Sequence, residues 1–176
     1  MLGGFARGEL IVRFIWASVL LTFSSVIANA QTRIDRIEIT EAGIYKTELG
    51  ARIASPGTAS GTRGVLTNNI RLVAPTTTVS AKQGVHFGFR YKLVGPPAGA
   101  TASIHFVTIF PPPGLQNPAK PRVSEKSEYD FEATAGQSNY KDYSMDEAWE
   151  VVPGVWKFQI WYQGSLMAEQ AFTLVK

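Results

Sequence analysis

Residues 85–93 alternate strictly: Val85, Phe87, Phe89, Tyr91 and Leu93 share one parity, and His86, Gly88, Arg90 and Lys92 share the other. A side-chain period of two requires an extended strand with one buried face, and helical spacing is scarce elsewhere in the chain. The rhythm returns at residues 36–40 (Ile37, Ile39), 65–73 (Ile70, Leu72) and 128–132 (Tyr129 and Phe131 inward). It returns again at 156–162, where Trp156, Phe158, Ile160 and Tyr162 oppose Lys157, Gln159 and Trp161. Residues 103–110 are apolar on both parities, as expected of a strand that is central or covered on both faces. Ala42-Gly43 interrupts one strand before residues 44–49 resume it, and a glycine there suggests a bulge. Residues 140–150 fit two readings, a strand by Tyr143, Met145 and Trp149 and a helical turn by Asp142 and Asp146, of which the strand is favoured; 166–175 close the domain after a turn at Gln163-Gly164-Ser165. About seven to eight strands separated by short turns predict an all-β, antiparallel sandwich.

Two stretches break the pattern. Residues 50–64 carry Gly50, Ser55-Pro56-Gly57, Ser60-Gly61 and Gly64, and read as a flexible loop. Residues 111–121 carry Pro111, Pro112, Pro113, Pro118 and Pro121, which no ladder tolerates. They read as a proline-rich connection crossing between sheets.

The N-terminus has the layout of a secretory signal peptide. Arg7 and Arg13 precede an apolar run, and Ala28-Asn29-Ala30 offers a cleavage site after Ala30. The run of about 15 residues falls short of the roughly 20 that span a bilayer, and no later stretch is long enough. The expectation is a leader over 1–30 and a single domain over 31–176, periplasmic or secreted, with no membrane span in the mature chain. The sequence holds no Asn-x-Ser/Thr sequon, which favours a bacterial envelope. It also holds no cysteine, which removes disulfides, thiolate nucleophiles and cysteine-ligated metals.

Of the 17 basic and 14 acidic residues, Arg7, Arg13 and Glu9 fall in the leader, leaving 15 and 13. Between Glu48 and Glu125 there is no acid, but eight bases: Arg52, Arg63, Arg71, Lys82, Arg90, Lys92, Lys120 and Arg122. After Arg122 the balance reverses. In a sandwich these halves interleave, so opposite charges are expected to meet across strands. The bases are too dispersed for a nucleic-acid stripe.

Residues 153–164 (Pro-Gly-Val-Trp-Lys-Phe-Gln-Ile-Trp-Tyr-Gln-Gly), followed by Leu166 and Phe172-Thr173-Leu174, resemble the closing hairpin of bacterial immunoglobulin-like domains. With residues 78–91 (Thr-Val-Ser-Ala-Lys-Gln-Gly-Val-His-Phe-Gly-Phe-Arg-Tyr), the chain is similar to an exported bacterial family catalogued only as a domain of unknown function. The likeness runs over about residues 36–175. It implies an immunoglobulin-like sandwich and export, and no chemistry.

Groups that carry chemistry are few. His86 and His105 flank the turn at 95–99. If their strands pair, either register leaves the two imidazoles on opposite faces or more than about 13 Å apart, so no shared metal site or relay is expected. No Gly-x-Ser-x-Gly elbow accompanies them. Glu128, Asp130 and Glu132 line one strand face, where paired carboxylates suit a glycosidase or, with backbone oxygens, calcium; a solvated strand face is the favoured reading. Asp142, Asp146 and Glu147 match no EF-hand loop. Trp156 reads as core, and Trp149 as a plug at one end. Trp161 shares its face with Lys157 and Gln159, which makes those three the candidate binding residues: a stacking indole flanked by polar groups, unless the proline-rich connection covers it. The expected function is a non-catalytic, exported module without metal or cofactor, binding an envelope protein or peptide. The alternative is a carbohydrate-binding module using Trp161.

Overall fold

A computed structural model describes residues 33–66 and 69–176; the leader read over 1–30, with its cleavage after Ala30, lies outside them. Eleven strands run in chain order: β1 (Arg36–Lys46), β2 (Leu49–Ala54), β3 (Thr62–Leu66), β4 (Arg71–Ala74), β5 (Thr78–Ser80), β6 (His86–Val94), β7 (Thr101–Ile109), β8 (Lys126–Thr134), β9 (Asn139–Ser144), β10 (Gly154–Tyr162) and β11 (Ser165–Val175). One sheet is ordered β4-β1-β6-β9, the other β5-β11-β10-β7-β8, and β2-β3 form a separate hairpin. Every pairing is antiparallel except that of β5 with β11. Among the described residues there is no α-helix, only a 3-10 turn at Ala148–Glu150.

The alternating faces become the core. Phe87, Phe89, Tyr91 and Leu93 of β6 are buried and meet Trp156, Phe158 and Ile160 of β10 from the other sheet. The Phe87 ring stands edge-on to Trp156 at 5.6 Å, Phe158 at 5.7 Å and Phe172 at 5.3 Å. Edge-to-face packing puts the positive rim of one ring on the negative face of the next. Trp156 is fully buried, and its indole N–H donates to the Val152 carbonyl at 2.9 Å. Trp149 packs half-buried against this core.

β7 is central in its sheet, between β10 and β8: Ile104 and Phe106 face the core, and on the outer face Val107 is buried while Ser103 is exposed. Against β4 the register shifts between Ile44 and Tyr45, beside Gly43 as expected, and against β6 a bulge lies between Ile39 and Glu41, with Thr40 the extra residue. It returns Ala42 and Ile44 to the core side opposite Phe89 and Phe87.

Five expectations need correction. β6 and β7 do not pair. Both edges of β6 are taken, by β1 and β9, so the chain crosses at residues 95–100 to the opposite sheet. The proline-rich connection does not cross: it joins β7 to β8, neighbours in one sheet. It folds back through a bridge between Leu115 and Ser124, with N–H···O bonds of 2.9 and 2.8 Å. Gly114 at its corner has φ of 98°, and a Cβ there would sit 2.6 Å from the Ser124 carbonyl. The strand read over 65–73 is two strands, β3 and β4. The expected strand over 140–150 ends at Ser144 and gives way to the 3-10 turn.

Residues 50–64 are not a flexible loop. They form most of the β2–β3 hairpin, and its tip is docked. The Glu128 N–H donates to the Gly57 carbonyl at 2.8 Å and the Ala59 N–H to Ser127 Oγ at 2.7 Å. From the proline-rich connection, Asn117 Nδ2 donates to Ala59 O at 3.1 Å and Lys120 Nζ to Thr58 O at 2.7 Å. At its other end Arg52 pairs with Asp146. The hairpin therefore straps the open side of the sandwich, from β8 to the end of β9.

Candidate functional site: an inter-sheet cleft

The face predicted to bind is the outer surface of the five-stranded sheet. Register sets Trp161 beside His105, and His105 beside Asp130. The Trp161 indole N–H donates to Gln159 Oε1 at 3.0 Å, and Gln159 Nε2 donates to Glu169 Oε2 at 2.8 Å. Lys157 Nζ lies 3.7 Å from Glu169 Oε1. His105 Nδ1 lies 2.8 Å from Asp130 Oδ1, with Glu128 3.7 Å beyond Nε2. The candidate residues thus come together, but as a self-satisfied network. The proline-rich connection packs on the hairpin tip, and the other outward positions (Val107, Glu128, Asp130, Glu169) supply no second ring for a sugar platform. Glu128 fits poorly as a glycosidase acid: the Lys126 ammonium bonded to it at 2.7 Å holds its carboxyl below the usual range.

His86 has company that the sequence did not disclose. On the outer face of the four-stranded sheet, Ser144 Oγ is 3.2 Å from Nε2, Thr47 Oγ1 is 2.9 Å from Nδ1, and Asp142 Oδ2 is 3.7 Å from Nδ1. The Asp142 carboxylate raises the imidazole pKa above its ordinary value, while burial works against it. Ser144, His86 and Asp142 have the residue types of a nucleophilic triad but not its wiring. The Ser144 hydroxyl donates to Asp146 Oδ1, so its proton points away from His86. Among the described residues no group of three His, Asp or Glu side chains is placed to hold a metal ion.

A depression of about 290 Å³ lies beside His105, Asp130 and Trp161, and a larger opening lies elsewhere. Between edge strands β8 and β9, beneath the β2–β3 hairpin, is a cleft of about 350 Å³. Its volume lies at the low end of the range typical of small-ligand sites, roughly 300–1,000 Å³. Phe106, Tyr129, Phe131 and Tyr143 form its apolar walls, and its charged lining is Arg52, Arg63 and Lys141 with Asp142, Asp146 and Glu150. Lys141 shares the parity of Tyr143, so β9 turns it inward, and it is only 6% exposed. Its ammonium donates to the Asp142 carbonyl at 2.8 Å and lies 5.2 to 5.7 Å from the rings of Tyr129, Phe158 and Phe106. Arg63 of β3 sits over Tyr129 and Phe131, 5.4 and 5.9 Å from their centroids. Glu150 is buried, accepts from Tyr143 Oη at 2.9 Å and from the Glu147 N–H at 2.8 Å, and burial pushes its carboxyl pKa up.

Sequence reasoning passed over this site. Its one available signal was Lys141, a charged residue at the inward parity of a strand.

The two stacked sheets and their aromatic seam define an immunoglobulin-like β-sandwich. An immunoglobulin-like protein of Pseudomonas aeruginosa, solved by crystallography, shares the fold at a TM-score of 0.57 and 27% identity, over 84% of this chain and 99% of that one. The chain belongs to the family described as a domain of unknown function (DUF3859), whose model matches residues 34–174. No curated protein matches it. No helix among the described residues is long and apolar enough to cross a membrane.

Proposed function

We infer that this chain is an exported, non-catalytic binding module of the bacterial envelope, and that it takes a peptide segment of its partner into the cleft under the β2–β3 hairpin. The observation that carries this reading is the cleft itself: aromatic walls, two inward cations and a bridging hairpin docked at both ends. Edge-strand addition is less favoured. β4 and β5 have four and three residues, and the Glu128 N–H of β8 is capped by Gly57. The wiring at Ser144 and the lowered pKa of Glu128 both count against catalysis.

The test is photo-crosslinking in living cells. A photoreactive residue at Val65, on the cleft rim, is expected to capture a partner, whereas one at Gln163, beside Trp161, is not. Capture from Gln163 alone, or from neither position, contradicts the reading. Cell fractionation tests the compartment: mature protein in the cytoplasm contradicts export.

A further inference from the structure

Arg63 and Lys141 line the cleft, and among the described residues neither has a carboxylate within 4.0 Å. Two of the three nearby acids are engaged: Asp146 serves Arg52 and Ser144, and Glu150 serves Tyr143 and the Glu147 N–H. Asp142 lies 3.7 Å from His86, and its buried Oδ2 has no hydrogen bond. An inward cation held only by ring faces and one carbonyl is incompletely compensated, because a ring quadrupole returns only part of the hydration that burial removes. An anion in the cleft completes the balance. A guanidinium fork fits the two oxygens of a carboxylate, and an ammonium beside it adds a point charge. The aromatic walls require that this carboxylate carry an apolar, flat body.

We propose that the cleft receives the C-terminal residue of a peptide, with its free α-carboxylate between Arg63 and Lys141 and an aromatic side chain against Tyr129 and Phe131. The end of a chain fits better than its middle. The hairpin is tied to β8 at Gly57 and to the end of β9 at Arg52, and it closes the path a through-running strand would take. This inference rests on the cleft being the ligand site.

Calorimetric titration of the purified protein with three probes tests it: acetyl-Ala-Ala-Phe with a free carboxylate, the same peptide as its C-terminal amide, and 3-phenylpropanoate. The free-acid peptide is expected to bind at least about tenfold more tightly than the amide, and Arg63→Gln to abolish that preference. Equal binding of acid and amide, both lost in Phe131→Ala, overturns carboxylate recognition and leaves the cleft as a peptide site. Binding of acid and amide alike, unaffected by either substitution, overturns both readings. 3-Phenylpropanoate binding as tightly as the free-acid peptide overturns the peptide assignment, and binding of none of the three overturns the proposal.

Discussion

Lys141 of one sheet places its ammonium 5.7 Å from the ring centroid of Phe106 in the other, so a charged side chain spans the interior of a sandwich otherwise sealed by aromatic rings. A lysine in this position is costly to fold around. Replacement by methionine, which keeps the length and drops the charge, should leave stability unchanged or raise it by up to about 2 kcal/mol, as for other buried charges replaced by apolar groups. Denaturant unfolding of Lys141→Met checks this. A loss above about 2 kcal/mol would mean that the ammonium is needed by the fold rather than by a ligand.

Trp156 is the seam of the core, with Phe87, Phe110 and Tyr143 around it at 5.6, 4.9 and 4.8 Å. Trp156→Ala should cost about 3–5 kcal/mol, the range for truncating a buried large aromatic. Equilibrium unfolding decides it, and a loss under about 1 kcal/mol would contradict its placement.

Trp161 makes the opposite case. It is only half-buried, and its indole bonds a side chain on its own strand. Trp161→Ala should cost less than about 1.5 kcal/mol and leave affinity for the free-acid peptide unchanged. A tenfold weaker affinity in calorimetry would restore the outer face as the binding surface.

His86 predicts a pH dependence. Its pKa in the folded protein lies above the unfolded value, chiefly through Asp142. The folded state therefore binds the proton more tightly. The stability this contributes is complete below the unfolded pKa of about 6.5 and is lost as pH rises through the folded value. The thermal midpoint should fall as pH rises above about 6.5, and His86→Gln should flatten that slope. An equal slope in both proteins would remove His86 as its source.

What could be read from the chain alone follows a physical line. β6 and β10 were legible because local and tertiary preferences agree: each alternates, and each buries the face its alternation marks. The β2–β3 hairpin was not. Its turn is rich in Gly, Ser and Pro, and what orders it comes from elsewhere, from Ser127, Asn117 and Lys120. Strand partners were equally hidden, since the turn at 95–99 looks the same whether it closes a hairpin or crosses between sheets. That Trp161, Gln159 and Lys157 share a face was legible because they lie on one strand. The cleft draws its walls from β3, β7, β8 and β9, and only the parity of Lys141 hinted at it.

The most direct test of the central claim is a backbone amide shift map of the full protein titrated with acetyl-Ala-Ala-Phe. The account predicts perturbations concentrated at Arg63, Tyr129, Phe131 and Lys141. Shifts centred on His105 and Trp161, or none at the cleft at saturating peptide, would contradict it.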